Sequence, residues 1–223
     1  CNMLGSAYGS SGPASMNPDT GKPYGPDFPQ LTLADMANAQ DRVLRSLGVE
    51  QLAAIVGYSF GGQLALQWAV SNPTRMKCLV VVASGLRSRN GAESVSALEQ
   101  RFAACAGWNG GHYLDGADNE RDIRRELRDI RLETLRAYGF ERHASERLKD
   151  QGLVAQQMHE VTTKWASEFD ANALITLRRA NVRFDATPLV DNIRAPLLYV
   201  LSRTDALYPP SLAPPAIALL HEA

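Results

Sequence analysis

The sequence is short of several things, and each shortage removes a class of function. It holds three cysteines, Cys1, Cys78 and Cys105, odd in number and without CxxC spacing. That pattern argues against a disulfide framework or a zinc site and reads as reduced thiols in the cytoplasm. Charge of either sign is not in excess: the net charge is −1, so no global field draws the chain to nucleic acid or to an anionic membrane. No apolar run reaches the length of a membrane span. A metal-ligand cluster, a phosphate-cradling loop, a nucleic-acid motif, an internal repeat and a low-complexity tract are all missing. What remains is ordinary: 223 residues, 45% apolar and 21% charged, enough for one sizeable core or one domain with an insertion. The chain starts at Cys1 rather than Met and stops at HEA inside a helical pattern, so a fragment of a longer protein is expected.

Residues 1–31 are rich in Gly, Ser, Pro and Asn, a composition for turns and loop, yet Tyr8, Tyr24 and Phe28 suit a loop packed on something. Residues 32–48 predict a helix. Leu33, Met36, Ala37, Gln40, Val43, Leu44 and Leu47 share one face, Thr32 suits the cap, and Asp35 suits the first turn. Residues 52–56 predict a buried strand. Residues 61–70, apolar nearly all round, predict a buried helix that stops near Pro73. CLVVVA (78–83) predicts a second buried strand. Strand, helix and strand at this spacing make a βαβ unit with a parallel sheet. From Leu86 onward, helices are expected at 92–106, 119–138, 144–167 and 171–182, with six arginines between 119 and 136. LLYVLS (197–202) then returns as a third buried strand. An all-helical insertion therefore interrupts an α/β core.

Gly57-Tyr58-Ser59-Phe60-Gly61 matches G-x-S-x-G and sits directly after a predicted strand and before a predicted helix. That context is what a nucleophile elbow requires. A tight strand-to-helix turn leaves no room for side chains two positions either side of the serine, hence glycine at both. The turn holds the Ser59 hydroxyl out above the sheet edge, in strained backbone. Behind it, the N–H of Phe60 at the start of the helix can face a developing oxyanion. Asp205, in SRTDALYPP after the third strand, sits where a carboxylate reaches the ligand-binding edge of a parallel sheet and follows the serine in the expected order of an acyl-transfer triad. The third member, a histidine, is expected after one more helix and strand, roughly 25–35 residues beyond the acid. Only 18 residues follow Asp205. His221 comes too early, and His112, His143 and His159 lie in the insertion, out of order. The base is thus expected to be absent from this chain.

The loop NMLGSAYGSSGPASMNPDTGKPYGPDFP (2–29), TLADMANAQ, the elbow GYSFGG, WNGGHY (108–113), FDANALITLRRANVRFD (169–185) and TDALYPP (204–210) together resemble the homoserine O-acetyltransferase family of α/β-hydrolase-fold acyltransferases. WNGG and FDAN carry most of the specificity, because generic hydrolases lack them. The resemblance implies a partial α/β-hydrolase fold, mostly parallel, with an all-helical lid. Residues 1–85 would be core without its first strands, 86–190 the lid, and 191–223 core again, cut before the last strand and the catalytic histidine. It implies ping-pong transfer of an acetyl or succinyl group from acyl-coenzyme A, as co-substrate, to the hydroxyl of a small amino acid such as homoserine. Ser59 would be the nucleophile and Asp205 would orient the base. Arg128, counted back from Thr134, would clamp the acceptor's carboxylate. The lid helices would offer a homodimer contact, and the enzyme would be cytoplasmic, without metal or bound cofactor, and would not engage nucleic acid or membrane. The chain departs from the family where Tyr58 and Phe60 replace Gly and Met of the usual GGSMGG elbow, and where Leu135 replaces a tyrosine. A serine hydrolase of the same fold, and an inactive fragment, stay open as alternatives. These residues alone are expected to show no useful turnover, and their open sheet edges predict poor solubility.

Overall fold

The computed structural model describes residues 2–115 and 120–222. By contacts the chain forms two compact units. Among the described residues, one is built from 30–93 and 178–222, the other from 2–29, 94–115 and 120–177. The sequence predicts a lid at 86–190. The loop 2–29 instead groups with the helices, since a Cβ on Gly25 would lie 3.3 Å from the Gly111 carbonyl oxygen and Tyr8 meets Phe169 with ring centroids 6.0 Å apart.

The first unit holds the sheet. Helix α1, Leu33–Ser46, opens with a full capping box: the Thr32 hydroxyl accepts from the Asp35 N–H, and the Asp35 carboxylate accepts from the Thr32 N–H. Strands β1 (Ile55–Tyr58), β2 (Leu79–Val82) and β3 (Leu197–Val200) pair in parallel in the order β1-β2-β3. The first strand thus sits three residues later than the sequence suggests, because its register is set by pairing Ile55 with Leu79 and Tyr58 with Val82. Leu52 makes only an isolated parallel bridge to Met76.

Helix α2, Phe60–Ser71, is buried along most of its length. Its Trp68 indole N–H donates to Gln40 of α1 at 2.8 Å. Leu79, Val81 and Gly57 are buried beneath this layer, and each fully buried leucine or valine contributes about 1.5–3 kcal/mol. The sequence predicts buried strands, and here the structure differs. Val56 is 70% exposed and Leu198 59%, because residues that alternate with Leu79 and Val81 point away from the helices. Val43 and Leu47, placed on the buried face of α1 by periodicity, are also exposed. A short 3-10 helix, Thr187–Asn192, and helix α8, Ala213–Glu222, complete the unit.

The second unit is helical: α3 (Glu93–Ala103), α4 (Glu120–Ala137), α5 (Phe140–Leu148), α6 (Gln151–Glu168) and the first half of α7 (Ala171–Val182). The single helix expected at 144–167 is two. Lys149 adopts φ 55° and Asp150 caps the new start, its carboxylate accepting from the N–H groups of Gly152 and Leu153. A side-chain cap of this kind stabilises a helix start by about 1 kcal/mol. The core packs Leu98 and Phe102 against Ile123, Leu127 and Ala171. Trp108 stacks between Phe102 and Tyr113 at 5.3 and 5.7 Å. WNGG and FDAN meet here. The Asn172 amide donates to the Gly111 carbonyl at 2.8 Å, and the Tyr113 hydroxyl donates to Asp170.

Candidate active site

Ser59 is the N-cap of α2 with φ 52° and ψ −118°. Such backbone costs a non-glycine residue on the order of 1–3 kcal/mol. Three bonds hold it there: its N–H donates to the Val82 carbonyl at 2.9 Å, and its own carbonyl accepts from Gly62 and Gln63 at 2.9 and 3.2 Å. The turn is tight enough that a Cβ on Gly57 would lie 2.1 Å from the Gly61 carbonyl oxygen. The expectation for Gly61 fails, since a Cβ there meets nothing within 4 Å. The second glycine the fold demands is Gly62, where a Cβ would come within 2.5 Å of the Ser84 Cβ. Phe60 is the first residue of the helix, so its N–H has no acceptor within α2.

Asp205 lies five residues past the end of β3, half-buried. Its Oδ1 accepts from the N–H groups of Leu207 and Tyr208 at 2.8 and 2.9 Å, which folds the loop back on itself. β2 lies between the strand that leads to Ser59 and the strand that leads to Asp205, so the two segments leave the same sheet edge two strand spacings, roughly 10 Å, apart. Beside them the Tyr199 phenol, raised in pKa by burial, donates to the Ser84 carbonyl at 2.6 Å.

Gln63, Asn181 and Tyr208 were missed by the sequence reading. All three are buried, and Gln63 has no exposed surface at all. Gln63 Nε2 donates to the Tyr208 hydroxyl at 3.0 Å, and the Asn181 amide donates to Gln63 Oε1. The available signal was Gln63 itself, a polar side chain near the start of a helix that is apolar nearly all round.

Arg128 belongs to the second unit. It pairs with Asp129 at 3.2 Å and lines a groove of about 480 Å³ beside Arg121, Arg124, Arg125 and His159. His112 and His143 also lie in that unit, whereas His221 falls in α8 with its side chain outside the described residues. Among the described residues no cluster of three metal-ligating side chains forms, and no helix is long and apolar enough to cross a membrane.

A strained serine between a parallel strand and a helix, over a sheet with an inserted helical unit, defines a class. The sequence matches the α/β hydrolase fold family over residues 1–218, and the chain belongs to that family. It is similar to the homoserine O-acetyltransferase of Chloroherpeton thalassium (strain ATCC 35110 / GB-78), 35% identical over 220 residues that cover 93% of this chain and 58% of that protein. The homoserine O-acetyltransferase of Chlorobaculum parvum (strain DSM 263 / NCIMB 8327) is 37% identical over 185 residues, 80% of this chain and 51% of its own. The chain thus spans little more than half the length of these curated relatives. Among solved structures, esterase E22 superposes with a TM-score of 0.82 at 25% identity, covering 99% of this chain and 67% of its own. A homoserine O-acetyltransferase from Bacillus anthracis gives a TM-score of 0.74 at 23% identity, over 96% and 62%. The expected resemblance and the α/β fold are both confirmed by these matches.

Proposed function

We propose that this chain is part of an acyltransferase that moves an acyl group from acyl-coenzyme A to the hydroxyl of a small amino acid such as homoserine, through an ester on Ser59. The backbone of Ser59 carries the reading. At φ 52°, ahead of the α2 N-terminus, Ser59 has the strained strand-to-helix backbone that a nucleophile elbow needs. Ser59 Oγ attacks the thioester carbonyl and passes its proton to a base oriented by Asp205. The Phe60 N–H stabilises the oxyanion. Coenzyme A leaves as its thiol, taking that proton, and the acceptor hydroxyl then attacks the ester by the reverse path. Arg128 would hold the acceptor's carboxylate, since a guanidinium can engage both oxygens. The relatives' shared name supports the acceptor, and the free thiols of Cys78 and Cys105 suit a cytoplasmic setting. A homodimer through the helical unit belongs to the same proposal.

The likeness to esterase E22 favours a second reading, in which water takes the place of the acceptor. Acyl-enzyme breakdown in the full-length protein separates the two. With homoserine or serine present, release of the acyl group should accelerate and yield the O-acyl amino acid. Release at one unchanged rate with every hydroxyl acceptor removes the transferase reading. Ser59→Ala should abolish acyl-enzyme formation, a loss of at least about 1,000-fold, and retained acylation removes both readings.

A further inference from the structure

The bond between Gln63 and Tyr208 joins residues 145 apart in the chain. Gln63 lies one helical turn after Ser59, and its N–H donates to the Ser59 carbonyl at 3.2 Å. Tyr208 lies three residues after Asp205, and its N–H donates to Asp205 Oδ1 at 2.9 Å. A continuous hydrogen-bonded path therefore runs from the nucleophile's backbone, through one side-chain contact, to the carboxylate. Both side chains are buried, Gln63 fully and Tyr208 to 3% exposure, so water does not compete for the bond. We propose that Gln63 and Tyr208 are positioning residues, which together fix the loop of Asp205 against the helix that presents Ser59. The proposal rests on the function proposed above.

The polarity of the path supports it. Asn181 Oδ1 accepts from Asn90 Nδ2 at 2.7 Å and from the Ser88 hydroxyl at 3.1 Å. That leaves Asn181 to donate through its nitrogen, so Gln63 must accept with its oxygen and donate with its nitrogen. Tyr208 is thereby given an acceptor role at its hydroxyl, and the Gln63 amide cannot flip without breaking two bonds. A buried amide held at both ends sets a distance rather than merely filling space. An apolar residue of similar length would fill the same volume between helix and loop but would set no separation. The Gly85 position adds a lateral limit, since a Cβ there would sit 3.3 Å from the Tyr208 ring.

The test uses Tyr208→Phe, Gln63→Met and the double variant in the full-length protein, with p-nitrophenyl acetate as acyl donor. Each single variant should slow acyl-enzyme formation roughly 10- to 100-fold, the scale of an ångström-sized misplacement, while KM stays within about twofold. The apparent pKa of the base in the pH–rate profile should fall, because a wandering carboxylate stabilises the charged base less. The double variant should be no slower than the slower single, since both remove the bond between Gln63 and Tyr208. An unchanged acylation rate and pH profile, with only a lowered melting temperature, overturns the proposal. So do effects that multiply in the double variant. Ser59→Ala run alongside keeps the two ideas apart. If it still acylates, the nucleophile assignment has failed. If it is dead while Tyr208→Phe and Gln63→Met match the parent, only the positioning role has failed.

Discussion

Each unit buries an aspartate, and the two are treated in opposite ways. Asp41, in the sheet unit, accepts from Arg45 at 2.6 Å and from Arg75 at 2.9 Å. Burial pushes its pKa up, but the two guanidiniums outweigh burial and hold it below the ordinary value of 3.8. Asp170, in the helical unit, is met by neutral donors: the Tyr113 hydroxyl and the N–H groups of Asn172 and Ala173. Burial dominates there, and its pKa is raised. Both have little exposed surface, but Asp170 lies much deeper in the protein, so depth and the kind of partner together give the opposite shifts. At Asp41 two directly bonded guanidiniums overcome desolvation, whereas at Asp170 the neutral donors and the more distant charge of Arg124 offset it only in part. Within the helical unit the same aspartate also ties FDAN to WNGGHY, so its hydrogen bonds align two segments 57 residues apart.

The comparison can be broken most forcefully at Arg75. Arg75→Met leaves Asp41 with one exposed partner, and the protein should lose about 3 kcal/mol of stability by urea titration. A loss below about 1 kcal/mol would mean that Asp41 is solvated in the native state. Tyr113→Phe removes one neutral donor from Asp170 and should cost roughly 1–3 kcal/mol, with acyl transfer retained. Melting temperatures across pH 3–7 sharpen the contrast by sign. The Asp41 contribution is present above 3.8 and is lost as pH falls through its lowered native pKa. The Asp170 contribution is full below 3.8 and shrinks as pH rises through its raised native pKa. Asp41→Asn should therefore flatten the acid limb, and Asp170→Asn the limb above it. If both variants flatten the same limb, the contrast is wrong. The smallest effect is expected at the surface. Glu133 is held below its usual pKa by Arg101, yet its side chain is 60% exposed, so Glu133→Gln should change stability by no more than about 0.5–1 kcal/mol.

The elbow was legible in one dimension because its causes are local. Strand, Gly57, Ser59 and helix lie within a dozen residues, and the strain at Ser59 follows from turning that sharply. The capping box at Thr32 and Asp35 was half legible for the same reason, since a helix start is decided within four residues. The split at Lys149 was lost because the apolar spacing of 144–167 continues across it. A left-handed residue followed by a side-chain cap leaves almost no mark on periodicity. The family resemblance was readable from WNGG and FDAN, although nothing in either string says that they bond to each other.

By itself the sequence determined the shape of the turn: which residue carries the strained backbone, after which strand and ahead of which helix. Those are outcomes of sterics and hydrogen bonding over a few neighbouring residues. Only the tertiary structure decided that Gly62 rather than Gly61 is required, that β2 lies between the serine and acid strands, and that Gln63 reaches Tyr208. Each of these depends on which distant segment packs against which, and no local propensity encodes a partner 145 residues away.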